Sequence, residues 1–187
     1  GELRERRGRA SVDREGERTQ MNTSDRWKRS AGKVHIGVLS DTHGLLMPDV
    51  LHHFARVDHI IHAGDVGGVQ VLTALRAVAP VTAVAGNMDM GELFDQLPHE
   101  ASGEVCGIRF LVAHTQRDIM ARHQDPAREG YDLVVTGHTH HASADWHDGV
   151  LYLNPGSAGP RRFGSQASIA LVAVDSVGLD PRIITLP

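Results

Sequence analysis

The chain has 187 residues, 41% of them hydrophobic, one cysteine and a formal net charge of −4. That length suits one globular α/β domain, since domains run to roughly 100–200 residues. A lone cysteine (Cys106) excludes an internal disulfide and argues against a cysteine-based zinc site. No apolar run approaches the roughly 18–20 residues of a membrane span, and no secretion leader is recognisable, so a cytoplasmic setting is expected.

Residues 1–32 carry nine Lys/Arg against six Asp/Glu and almost no apolar side chains. Such a segment cannot bury enough surface to offset its ordering entropy, and it is expected to be a disordered polar tail. Trp27 is its one large apolar residue. Met21 is a candidate translational start, which would make residues 1–20 an upstream artefact. Residues 33–187 carry ten Lys/Arg against seventeen Asp/Glu and are expected to form the domain. Their acidity disfavours nucleic acid, whose non-specific binding rests on Lys/Arg at phosphates. It also means that an anionic substrate is attracted only if bound cations reverse the local field.

The apolar, β-branched run 34–40 predicts a buried strand. A helix near 48–56, a strand at 57–63, a helix near 68–78 and a strand at 81–85 follow. This βαβαβ alternation implies a parallel sheet with right-handed crossovers. Residues 103–113 predict a hairpin turning near Gly107, then a helix within 117–129 and a strand at 132–136. Further strands are expected at 150–153, 168–174 and 182–186 without helices between them. Antiparallel pairing in a second sheet follows, and hence a two-sheet sandwich flanked by helices.

Five small motifs each follow a predicted strand: Ser40-Asp41-Thr42-His43, Gly64-Asp65, Gly86-Asn87, Ala113-His114 and Gly137-His138-Thr139-His140. Ligands of α/β sheets bind beyond the carboxyl ends of strands, so these loops can converge on one crevice. Four imidazoles, two carboxylates and one amide form a mixed N/O donor set. It suits manganese, iron, zinc or nickel better than magnesium or calcium. Seven side chains exceed one tetrahedral ion and match two divalent ions if a carboxylate bridges. Two such ions can clamp a phosphoryl group and activate a shared water.

In this order, DxH, GD, GN, an isolated His and GHxH resemble the calcineurin-like metallophosphoesterase superfamily. Gly86-Asn87-Met88-Asp89 and Asn154-Pro155-Gly156-Ser157 resemble its small bacterial and archaeal phosphodiesterases, a branch related to Vps29. The resemblance covers residues 33–187. It implies a four-layer α/β/β/α sandwich of two mixed sheets, and a hydroxide bridging two metal ions, manganese foremost. It places Asp41, His43 and His140 on one metal, Asn87, His114 and His138 on the other, and Asp65 between them. A small phosphoester is the implied substrate, and self-association is left open. The rival readings are a phosphomonoesterase and a non-catalytic, Vps29-like interaction scaffold.

Two positions depart from the family. Many members carry, after the GN asparagine, a His that protonates the leaving group; here it is Met88, which has no proton to give. Asp89 beside it becomes a catalytic candidate, with Asp65 and Asn87, provided that its carboxyl keeps a proton. Thr115 replaces a frequent glycine and is expected to crowd the pocket.

Singly, each candidate has an ordinary explanation. Asp41 or Asp65 could cap a helix, Asn87 could serve a turn, and a lone His114 could be a core histidine. Jointly these fail, because no structural need puts seven ligand-type residues at successive strand ends. Of the other histidines, His62 and His141 are candidates for support of the site, and His52, His53, His99, His123 and His147 are expected at the surface. Ser157 is a further supporting candidate, and Arg161 and Arg162 are candidates for phosphate contact. Removing residues 1–20 is expected to leave the melting temperature and any turnover unchanged, a comparison that thermal unfolding of the two chains decides.

Overall fold

The computed structural model describes residues 33–159, 166–175 and 177–187. The expected tail, and with it Trp27, as well as Arg161 and Arg162, lies outside the described residues.

The first half forms β1 (Val34–Leu39), α1 (Pro48–Phe54), β2 (His59–His62), α2 (Val69–Arg76) and β3 (Val81–Ala83). β1 pairs in parallel with β2, and β2 with β3, as the alternation of strands and helices required. Then come α3 (Glu92–Gln96), the hairpin of β4 (Glu100–Val105) and β5 (Ile108–Ala113), α4 (Gln116–Arg122) and β6 (Leu133–Val135). The chain ends through β7 (Ser143–His147), β8 (Val150–Asn154), β9 (Ser168–Val174) and β10 (Leu179–Thr185). Two mixed five-stranded sheets result, in the orders β10-β9-β1-β2-β3 and β4-β5-β6-β8-β7.

Period-two alternation explains the layering. Ile36 and Val38 of β1 join Ile61, Phe110, Val112, Leu133 and Leu153 in a buried cluster with side chains from both sheets. Leu39 and Ile60 belong instead to a cluster with Val50 and Phe54 of α1 and Leu72 and Leu75 of α2. On the second sheet, Leu111 and Val134 pack with Ile119 of α4. Helices therefore cover both outer faces, giving the expected four layers. None of the helices is long and apolar enough to cross a membrane, among the described residues.

Two elements were not expected from sequence. α3 spans five residues, too few for a helical period to show. β7 reads Ser-Ala-Asp-Trp-His and is mostly exposed, as an edge strand can be, so its hydrophobic alternation is faint. A local signal existed nonetheless: Asp148-Gly149 joins β7 to β8, and Asp-Gly is a favoured hairpin turn.

Candidate metal centre

β1, β2 and β3 point one way in the first sheet, and β5, β6 and β8 are mutually parallel in the second. Their carboxyl ends meet at a shared rim. There β1 delivers Asp41 and His43, β2 delivers Asp65, and β3 leads to Asn87. From the other sheet β5 delivers His114, and β6 delivers His138 and His140. All seven candidates are brought to this rim.

The ligand atoms of Asp41, His43 and His140 lie within 4.8 Å of one another, as do those of Asp41, Asp65 and His114. His140 Nε2 is 3.1 Å from Asp41 Oδ1. Asn87 Oδ1 stands 3.0 Å from His114 Nε2 and 3.0 Å from His138 Nδ1. The sheets are stitched together here, because the His138 backbone N–H donates to Asp41 Oδ2 across 3.1 Å.

The backbone is strained where these side chains project. Asp41, His43, Asp65, His138 and His140 have φ of 56°, 48°, 52°, 67° and 58°. A side-chain-bearing residue in this left-handed region costs roughly 1–2 kcal/mol. Among the described residues, the other two non-glycines with positive φ are Cys106 and Asp148, each in a tight hairpin turn that needs it. Turn chemistry thus accounts for two cases, and the other five are all candidate ligands.

Close approach explains the glycines of two motifs. A Cβ on Gly137 would lie 1.9 Å from Ser40 Oγ, and one on Gly86 would lie 2.1 Å from Asp65 Oδ1. Glycine here lets one candidate's loop press against another.

The donors suit a cation. His114 Nδ1 donates to the Ala63 carbonyl at 2.7 Å, which in the neutral ring leaves Nε2 with only a lone pair. That Nε2 faces Asn87 Oδ1 and, at 3.4 Å, Asp65 Oδ2. Lone pairs facing one another need a proton or a metal ion between them. Burial pushes the His114 pKa down, but the hydrogen bonds to Asp65 and Ala63 and the charges of Asp65 and Asp41 raise it overall. Burial likewise pushes Asp65 up, yet hydrogen bonds from His114 and the Met88 N–H, with the charges of His114 and His43, hold it below its ordinary value.

The surrounding residues fix this arrangement. His62 is fully buried, and burial drives its pKa down to about 4. As a neutral ring its Nε2–H donates to Thr42 Oγ1 at 2.9 Å, and that hydroxyl donates to the Val66 carbonyl. Thr42, between Asp41 and His43, is thereby pinned. Ser157 Oγ donates to the Asp41 carbonyl, so two of the three supporting candidates contact the Asp41-Thr42-His43 turn, while the third, His141, donates through Nδ1 to the Thr139 carbonyl at 2.7 Å. Asn154, which the sequence marks only as the first residue of the Asn-Pro-Gly-Ser motif, donates through Nδ2 to the Gly137 carbonyl and to Thr139 Oγ1. It holds the loop of His138 and His140, a long-range role without a local signature.

Asp89 differs from expectation. It is 3% exposed, and its carboxylate accepts backbone N–H donors from Val66, Gly67 and Gly86 at 3.1, 2.8 and 2.9 Å. Its oxygens are committed to joining the Asp65 and Asn87 loops, not to a leaving group. Thr115 has a role of its own, for its hydroxyl caps α4 by accepting the Asp118 N–H. His123 is not a free surface residue: it is held by Glu129 and Glu100, and these contacts, led by Glu129, raise its pKa.

The chain belongs to the calcineurin-like phosphoesterase superfamily, whose domain model matches residues 34–177. A probable metallophosphoesterase of Methanocaldococcus jannaschii is 36% identical over 138 residues, which is 67% of this chain and 69% of that one. A phosphodiesterase of the same organism is 28% identical, over 66% and 83% of the two chains. Among solved structures, an archaeal phosphodiesterase matches at 26% identity with a TM-score of 0.67, covering 82% of this chain and all (100%) of that one. Vps29 of Cryptosporidium parvum shares the fold at 17% identity and a TM-score of 0.66, over 82% and 98% of the two chains.

A metal ion entering this centre must displace the proton favoured by the raised His114 pKa. Apparent affinity for Mn²⁺ is therefore expected to keep climbing with pH above the ordinary histidine value of about 6.5, by up to about tenfold per unit for one displaced proton. Calorimetric titrations in buffers of different ionisation enthalpy should detect proton release that fades at the alkaline end. Affinity that is flat above that value would contradict the assignment.

Proposed function

We propose that the chain is a metal-dependent phosphodiesterase. Asp41, His43 and His140 hold one divalent cation, Asn87, His114 and His138 hold a second, and Asp65 lies between. The observation that carries this reading is the convergence of His114 Nε2, Asn87 Oδ1 and Asp65 Oδ2, acceptor atoms that need a cation or proton among them. The mixed N/O donors suit manganese, iron, zinc or nickel, and the resemblance to calcineurin-like phosphoesterases puts manganese first. Two cations there would acidify a water molecule and neutralise phosphoryl oxygens.

The protein's own groups orient and support. Ala63 and His62 fix the ring of His114 and the turn of Asp41-Thr42-His43. Asp89 clamps the loops that carry Asp65 and Asn87. Diester rather than monoester chemistry is supported by the phosphodiesterase names of one relative and one structural neighbour. Asp65 is favoured as the shared ligand because its carboxylate feels both His43 and His114, one from each group.

Reconstituted protein is expected to hold two Mn²⁺ per chain by elemental analysis and to hydrolyse bis(4-nitrophenyl) phosphate. Asp65→Asn should lower kcat by about 10²–10³-fold, more than loss of any outer ligand. An equal or larger loss in Asp41→Asn would move the bridge to Asp41, which belongs to both ligand groups where Asp65 belongs to one.

Met88 is 53% exposed and carries no acidic proton, and Asp89 is engaged elsewhere. The leaving oxygen therefore departs without a side-chain donor at that position. A well-placed acid is typically worth 10²–10⁴-fold, roughly, and matters most for poor leaving groups. Rates across a series of aryl and alkyl diesters should fall steeply as leaving-group pKa rises, and Met88→His should flatten the slope. A shallow slope in the unmodified chain would mean that another residue donates, and His141→Gln would identify it.

A further inference from the structure

A groove of about 870 Å³ runs from the metal centre along the outer face of the second sheet, between α4 and β7. Its inner end is walled by His138 and Thr115, neighbours of the proposed second cation. Further out, Ile119 and Met120 of α4 and Val134 and Tyr152 of the sheet give it an apolar side. Asp145 and His147 of β7 stand opposite, and the His147 ring meets Tyr152 edge-on at 5.6 Å. That volume falls in the range of small-molecule sites, roughly 300–1,000 Å³.

The charge of the groove is informative. Among the described residues that line it there is no Lys or Arg, whereas Asp145 lines it together with His123, His138, His141 and His147. Burial raises the Tyr152 pKa, and the carboxylates of Asp125 and Asp148 raise it further; His123 at the groove wall is outnumbered by its two carboxylate partners, Glu100 and Glu129, so acidic side chains dominate the local field. A nucleic-acid strand reaching from the centre into this groove would bring a second phosphate into that field without a cationic partner. An uncharged organic group would instead bury apolar surface against Met120 and Tyr152.

We propose that the groove binds an ester substituent of the phosphodiester and selects an uncharged, apolar or aromatic group over an anionic one. The proposal rests on the phosphodiesterase reading, for which the phosphoryl group sits at the metal centre beside His138. It makes the substrate a small organic diester, with Met120, Tyr152 and Asp145 setting specificity.

The test uses the Mn²⁺-loaded full chain and three phosphonates that are not hydrolysed: methyl, phenyl and 4-carboxyphenyl. Calorimetry should show phenylphosphonate binding about tenfold more tightly than methylphosphonate, the scale on which apolar pockets discriminate. The carboxyphenyl compound should bind more weakly than phenyl. Met120→Trp, on the exposed side of α4, should fill the groove and erase the phenyl advantage. Asp145→Lys, on an exposed strand, should reverse the penalty against the carboxylate. Circular dichroism checks that both variants fold. Equal affinities, no binding, or a preference unchanged in both variants overturns the groove. Turnover of bis(4-nitrophenyl) phosphate would then still uphold the phosphodiesterase reading. A phenyl preference lost in the variants, without turnover of any diester, supports the groove and overturns the reading.

Discussion

Two carboxylates, Asp41 and Asp65, are 0% and 3% exposed at the rim where the two sheets meet, with ligand atoms within 4.8 Å. Like charges at that separation repel by about 3 kcal/mol at an effective dielectric of 20, and each has also lost water. The fold compensates with directed donors. Asp41 receives the His138 N–H and faces His140, and Asp65 receives the Met88 N–H and faces His114. Every loop at the rim is shaped by this demand. The five strained, left-handed candidate ligands are the local form of it, since such backbone persists only where its surroundings over-determine it.

The strain is held from behind by groups that never reach the centre. Asp89 ties three backbone N–H groups from two loops, His62 anchors Thr42, and Asn154 spans from the end of β8 to the loop after β6. These contacts join segments remote in sequence, so the centre is as rigid as the two sheets that carry it. Preorganised dipoles of this kind need little rearrangement when charge develops in a reaction.

This division also explains what could be read from the sequence. The candidate ligands were legible because bonding to a cation restricts residue type, and because their loops follow apolar, β-branched strands such as 34–40. Most strands and three of the helices were legible for the same reason of patterning. α3 and β7 were not, one spanning five residues and the other being a solvated edge. Asp89 was read as a conditional proton-donor candidate because a carboxylate beside a ligand-like motif looks alike in sequence whether it faces a substrate or a row of backbone amides. Only the folded positions of Val66, Gly67 and Gly86 distinguish the two. Asn154 was legible as part of a motif but not as a brace, since its partners lie fifteen and seventeen residues away.

The same logic bears on how an acidic protein handles an anionic substrate. Residues 33–187 have seventeen acidic against ten basic side chains, and the described lining of the groove beside the centre contains no Lys or Arg. Attraction for a phosphoryl group must then be concentrated at the proposed cations, where two divalent charges outweigh the nearby carboxylates. Beyond a Debye length, about 8 Å at physiological ionic strength, the field of the acidic surface is largely screened. A diester with a single phosphate feels the cations and little else. A polyanion feels both, and its further phosphates meet negative potential that no Lys or Arg of the described groove lining offsets. Under the proposed function, acidity away from the rim would act as a filter on substrate charge, while the buried carboxylates at the rim would hold the cations that admit the one phosphate.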